Sequence, residues 1–226
     1  FMCLTVLSTW AAKGDKKVRV GVFTGNGAAQ TCIWETIASI QMDPDMTVQG
    51  ISTSDISNGV LNNLDAIIIP GGGGTGENMD RIRAFIRSGK GAVGICAGAY
   101  LFTDTPNYAC MHINGAKAID IEHDNRGHGI SAFSLTDEGK KLFPELAGRE
   151  KSYVMYYEGP VLVKSDSIPL PYKTMATMLT DVHEEGNAPA NMTTNRPFFI
   201  ANEYGKGRVF SSISHPEATP GMMWMI

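Results

Sequence analysis

The chain has 226 residues, with 19 basic and 23 acidic side chains and a formal net charge of −4. Apolar residues make up 43% of it and charged residues 19%, an ordinary globular balance that excludes disordered, collagen-like and coiled-coil chains. A chain this long buries roughly 70% of its unfolded surface without needing metal or disulfide staples, and its mild acidity, with no basic run, argues against a nucleic-acid partner.

Phe1 to Ala12 is mostly apolar, ends in small residues and turns charged at Lys13. This predicts an export-signal remnant over 1–14, too short to span a bilayer, and hence a periplasmic or extracellular protein. Read instead as a first strand or a tag remnant, the segment leaves the protein cytoplasmic. No small-residue lipobox precedes Cys3, so no lipid anchor and no integral membrane segment is expected. Residues 15–226 are predicted to form one domain.

Lys17–Phe23 alternates and is β-branched, which predicts a first strand. A Gly/Asn turn leads to a helix over Ala29–Ile40 with Ile33, Ile37 and Ile40 on one face. Thr47–Ser52 reads as a strand, Asp55–Asn63 as a short helix, and Asp65–Ile69 as a strand buried on both faces. Pro70 and the glycines after it make a loop, Asn78–Arg87 is a helix, Gly91–Ile95 a buried strand and Ala97–Phe102 a helix. This alternation implies an α/β fold with a mostly parallel sheet and right-handed crossovers. The second half adds strands at Ala116–Ile121, Gly129–Leu135, Tyr153–Tyr157, Met175–Val182, Phe198–Glu203 and Arg208–Ser212, and a helix at Thr136–Phe143. The closing Met222–Met225 reads as the packing face of a final helix that stops mid-pattern, as a truncated C-terminus would.

None of the four cysteines, Cys3, Cys32, Cys96 and Cys110, sits in a CxxC pair, so neither a disulfide scaffold nor thiolate zinc is expected. One of them stands out. Gly94-Ile95-Cys96-Ala97-Gly98 places a cysteine between a buried strand and a helix, the cysteine form of a nucleophile elbow. The small residues allow a tight turn that lifts the sulfur above the sheet, and the following helix favours thiolate. A buried core cysteine is the bland alternative. Pro70-Gly71-Gly72-Gly73-Gly74 follows a neighbouring strand, and its amides could join that of Ala97 as an oxyanion hole. The loop lacks the Gly-Lys-Ser/Thr ending of a P-loop. Ser214-His215-Pro216-Glu217 after the last strand supplies a base and a carboxylate to orient it.

In that order and spacing, IIIPGGGG, GICAGAY and SHPEAT resemble the class I glutamine amidotransferase superfamily. The later segments AIDIEHDNRGHGISAFSLTDEGKKLF, VMYYEGP and YGKGRVFSSISHPEATP resemble, within it, the N-terminal amidotransferase-like domain of biotin-protein ligases, which also occurs as a stand-alone bacterial protein. The resemblance spans about residues 17–226. It implies a flavodoxin-like three-layer sandwich, with Cys96 as nucleophile, His215 as base, Glu217 as orienter, and Gly72, Gly73 and Ala97 as oxyanion donors. Tyr100 stands where glutamine-using members carry a glutamine that helps hold the substrate, which points away from glutamine. These residues hold no Gly-Arg-Gly-Arg-type biotinyl-adenylate loop, so ligase chemistry is not implied.

Glu122, His123, Asp124 and His128 lie close in sequence, but their spacing does not converge them on a metal; a loop reaching over the Cys96 crevice to read substrate is the alternative. Tyr157, like Tyr100, is a candidate wall of the pocket, and His112 and His183 read as surface or satisfied histidines. The expected function is cysteine-dependent hydrolysis or transfer at an amide or related C–N bond of a small molecule or peptide, with no metal or cofactor. The alternatives are a catalytically silent binding module and a regulatory partner of a biotin-protein ligase; export would exclude the latter.

Overall fold

The computed structural model describes residues 16–72, 78–119 and 126–226. The leader 1–14 and the loop residues Gly73, Glu122, His123 and Asp124 lie outside the described residues. In chain order the elements are β1 (Val18–Phe23), α1 (Gln30–Gln41), β2 (Met46–Ile51), α2 (Thr53–Ser57), β3 (Ala66–Ile69), α3 (Met79–Arg87), β4 (Gly91–Ile95) and α4 (Ala97–Phe102). The second half holds β5 (Ala116–Ala118), β6 (His128–Leu135), α5 (Asp137–Leu142), β7 (Ser152–Tyr157), β8 (Leu162–Lys164), β9 (Lys173–Met178), β10 (Pro197–Tyr204) and β11 (Gly207–Ser212). No helix among the described residues is long and apolar enough to cross a membrane.

Nine strands form one sheet in the order β2-β1-β3-β4-β11-β10-β9-β6-β7. The first five run parallel, and with β11 as the fifth strand their order is the 2-1-3-4-5 of doubly wound flavodoxin-like sheets. The period-2 alternation of β3 explains its two-sided burial: Ile67 and Ile69 join Phe23, Ile82, Ile86 and Phe102 in one layer. Ile68 instead joins Val22, Ile33, Ile40 and Ile95 beneath α1. The other four strands extend this sheet antiparallel. Their core is aromatic, with Phe133 stacked on Phe198 at 5.3 Å and edge-on to Phe199 at 5.1 Å. β5 and β8 pair separately.

Several boundaries differ from the sequence-based expectation for identifiable reasons. The helix expected at Asp55 begins at Thr53, because Ser52 and Asp55 form a reciprocal capping box. It stops at Ser57, and Gly59 at φ 89° separates it from a 3₁₀ turn at Val60–Asn63. The strand expected to reach Val182 ends at Met178, beyond which Thr180 accepts from the Ala132 N–H and gives its carbonyl to Thr193. The terminal helix is one 3₁₀ turn, Met223–Met225, although Met222 and Met225 do pack into the antiparallel half's core. β8 was not anticipated.

At the edge where the parallel strands begin, Asp65 accepts from Arg19 Nε at 2.8 Å and from Lys90 Nζ at 3.0 Å. One carboxylate thus ties the starts of β1, β3 and β4 together. Hydrogen bonds from Arg19 and then Lys90 hold its carboxyl well below the usual aspartate range. A carboxyl with a lowered folded pKa contributes stability above its unfolded value near ~3.9, and that contribution fades as pH falls through the folded value. Asp65→Asn is therefore expected to cost about 1 kcal/mol at pH 7. In urea melts the gap between variant and parent should narrow as the medium is acidified below about pH 4.

Candidate active site

β4 runs into Cys96, whose backbone lies at φ 52°, ψ −106° before α4 begins at Ala97. A non-glycine residue at positive φ is strained, and such strain persists only where the surroundings impose it. Here the surroundings are two glycines. A Cβ on Gly94 would sit 2.6 Å from the Gly98 carbonyl oxygen, and one on Gly98 would sit 2.1 Å from that of Ile69. Without side chains the turn closes against the end of β3, and Cys96, 9% exposed, lines a cavity of about 480 Å³. Resting Cys96 donates its Sγ–H to the Tyr157 carbonyl at 3.2 Å.

The chain leaving β11 supplies His215. His215 N–H donates to the Met155 carbonyl at 2.8 Å, Thr219 Oγ1 donates to the His215 carbonyl at 2.7 Å, and the Met155 N–H donates to the same Thr219 oxygen. The His215 segment is thereby bridged to β7, the far edge of the nine-stranded sheet, so the antiparallel half curls back to close the site. Pro216 and Glu217 lie in a 3₁₀ turn that returns the carboxylate to the ring, with His215 Nδ1 and Glu217 Oε1 2.7 Å apart and both side chains buried. An ionised carboxylate only accepts, so Nδ1 carries the proton and Nε2 is left as the basic nitrogen. Burial alone would lower the His215 pKa. Contacts with the Cys32 and Cys96 thiols and with Glu217 outweigh it and raise the value above the ordinary histidine range.

The cavity therefore brings Cys96 and His215 together, with Glu217 directly behind the ring. Gly72, at φ 120°, and Ala97 line it as well. Tyr100 and Tyr157 are walls, and the Tyr108 ring lies 5.6 Å from that of Tyr100. His128 is exposed one layer further out, stacked on Tyr157 at 5.1 Å. His112 and His183 are satisfied elsewhere, by Asp104 at 2.7 Å and Asp181 at 2.9 Å.

Sequence reasoning missed the contribution of α1: Thr31, Cys32 and Glu35 all line the cavity. The Cys32 sulfur, a His215 ring nitrogen and a Glu217 oxygen lie within 4.8 Å of one another. Burial raises the Glu35 pKa, and repulsion from Glu217 adds to the shift. The available signal was positional, since the β1–α1 turn opens on the same carboxyl-end rim as the elbow. Glu158, at φ 52° just after Tyr157, is a second carboxylate on the wall.

The family described as "Biotin-protein ligase, N terminal" matches residues 18–225. No curated protein matches the chain. Among solved structures the chain is similar to PurLQS from Thermotoga maritima, with 18% identity over 89% of this chain and 88% of that one and a TM-score of 0.63. A glutamine amidotransferase from Thermotoga maritima is 14% identical over 92% and 80%, with a TM-score of 0.57. A ThuA-like protein from Bacteroides uniformis is 11% identical over 92% and 87%, with a TM-score of 0.63. At these identities the likeness is one of fold.

The elbow's dependence on bare glycine is open to test. Gly98→Ala drives a methyl into the Ile69 carbonyl and is expected to cost roughly 2–3 kcal/mol, as overpacking of a closed site does. An unfolding titration reads this directly, and a loss below about 0.5 kcal/mol, within the range of an inert surface change, contradicts the packing argument.

Proposed function

The chain belongs to the biotin-protein ligase N-terminal domain family, with a class I amidotransferase-like fold, and from that premise we propose that it is a cysteine-dependent amidohydrolase or amide transferase. The observation that carries this reading is the convergence of a strained-elbow thiol and a buried, carboxylate-held imidazole on one cavity. The volume, about 480 Å³, suits a small molecule or a short peptide end.

In the proposed mechanism His215 Nε2 takes the Cys96 proton, and the thiolate attacks the carbonyl carbon of an amide. The oxyanion develops beside the Ala97 and Gly72 backbone, where aligned amides stabilise it. The His215 imidazolium, its Nδ1–H held by Glu217, gives its proton to the departing amine. Water, or an amine acceptor in a transfer reaction, then attacks the thioester with His215 again as base, and Cys96 is regenerated. Tyr100 leaves the glutamine-holding position aromatic, which favours an amide other than free glutamine.

A second reading, a binding module that turns nothing over, is favoured by the Cys96 Sγ–H bond to the Tyr157 carbonyl, which directs the thiol toward a backbone acceptor rather than the imidazole. Alkylation separates the two. Cys96 and Cys110 are almost equally buried, 9% and 6% exposed. If His215 activates Cys96, iodoacetamide modifies it much faster than Cys110, and His215→Ala erases the difference. The same substitution should slow turnover of an amide found by screening by about 100-fold or more, the usual worth of a general base. Equal, slow modification of both cysteines in both proteins favours the binding module.

A further inference from the structure

His215 is flanked by two thiols. Cys32, in the first turn of α1, is partly exposed in the cavity that Cys96 also lines, and its sulfur lies within 4.8 Å of a His215 ring nitrogen. A Cβ placed on Gly71 would meet Cys32 Sγ at 3.0 Å, His215 Cε1 at 2.9 Å and the Cys96 Cβ at 3.6 Å. The missing side chain of Gly71 thus leaves a small open space onto which both cysteines and the base abut. Cys110 shares none of this: it is buried beside Thr103 and Thr105, away from the cavity lining. Nothing in amide hydrolysis calls for Cys32.

We propose that Cys32 and Cys96 form a reversible disulfide on exposure to a hydroperoxide, making the site a peroxide-responsive dithiol in which Cys32 is the resolving residue. His215 takes the proton of Cys96. The thiolate attacks the hydroxyl-bearing terminal oxygen of the hydroperoxide, the S–O bond forms as the O–O bond breaks, and the departing oxygen leaves as water or an alcohol with the proton from His215. Cys96 is now a sulfenic acid. His215, neutral again, takes the Cys32 proton, and the Cys32 sulfur attacks the Cys96 sulfur. The S–S bond forms, the S–OH bond breaks, and hydroxide leaves as water with the proton from His215. Two thiols are oxidised by one peroxide, which is reduced to water or to an alcohol plus water. The bond silences the nucleophile while keeping it off the path to irreversible sulfinic acid, and a dithiol reductant restores it. The inference shares Cys96 and His215 with the proposed amide chemistry but needs no amide substrate.

The test treats the protein and its Cys32→Ser variant with stoichiometric hydrogen peroxide, then maps cysteine states by peptide mass spectrometry. Wild type is expected to yield a Cys32–Cys96 cross-linked peptide pair that dithiothreitol reverses. In Cys32→Ser that pair is lost, Cys96 is captured by dimedone as sulfenic acid, and excess peroxide carries it to sulfinic acid. Iodoacetamide labelling of Cys96 before oxidation should survive in Cys32→Ser, so loss of the disulfide is distinguishable from loss of the nucleophile. The proposal is overturned if wild-type Cys96 passes to sulfinic acid as readily as in the variant, if it pairs with a cysteine other than Cys32, or if it resists peroxide in both proteins.

Discussion

The close approach of Gly98 to the Ile69 carbonyl sets the geometry on which the site depends. With no side chain at Gly94 or Gly98, the strand-to-helix turn closes hard against the end of β3, and Cys96 is forced to φ 52°. That conformation costs free energy locally, on the order of 1–3 kcal/mol, and is held because the parallel sheet around it is fixed at both ends. Asp65 ties the starts of β1, β3 and β4, while two apolar layers clamp the strands from above and below. The sulfur reaches the cavity because the backbone has nowhere else to go.

The antiparallel half has a different task. The elbow lies outside it, yet it curls until its last strand, β7, lies against the segment that leaves β11. Met155 and Thr219 then pin His215 by its backbone, and Tyr157 offers both a carbonyl to the Cys96 thiol and a ring to the cavity wall. His215 is therefore positioned by two sheet regions four strands apart, whereas the carboxylate bonded to its ring comes from the next turn of its own loop. Glu217 requires only a two-residue reach; the placement of His215 over Cys96 requires the whole curled sheet.

This division explains what was legible in the sequence. The elbow and the Ser-His-Pro-Glu turn are local, so the turn at Cys96 and the reach of Glu217 to His215 follow from spacing, whereas the meeting of Cys96 with His215 was implied only by the family resemblance. The parallel strands are equally plain, because Asp65–Ile69 and Gly91–Ile95 are short apolar runs bounded by breakers. Cys32 and Glu35 were hidden, since on a helix face an i, i+3 pair is informative only once the strand order shows which rim it overlooks. Tyr157 could be suspected as a wall, but its carbonyl contact with Cys96 depends on register and curl across non-neighbouring strands. Three-residue β8 is too short for alternation to register, and the early start of α2 was present in the sequence as the Ser52–Asp55 capping pair.

The central claim is that Cys96, His215 and Glu217 act as one coupled unit. Its most direct measurement is the low-field proton resonance of the His215 ring, followed by NMR in protein labelled at histidine nitrogen. The account predicts a strongly downfield Nδ1 proton that disappears in Glu217→Gln and shifts when Cys96 is alkylated, because the imidazole contacts both partners. A ring proton that is absent, or indifferent to the state of Cys96, would show that the three groups are neighbours without being coupled.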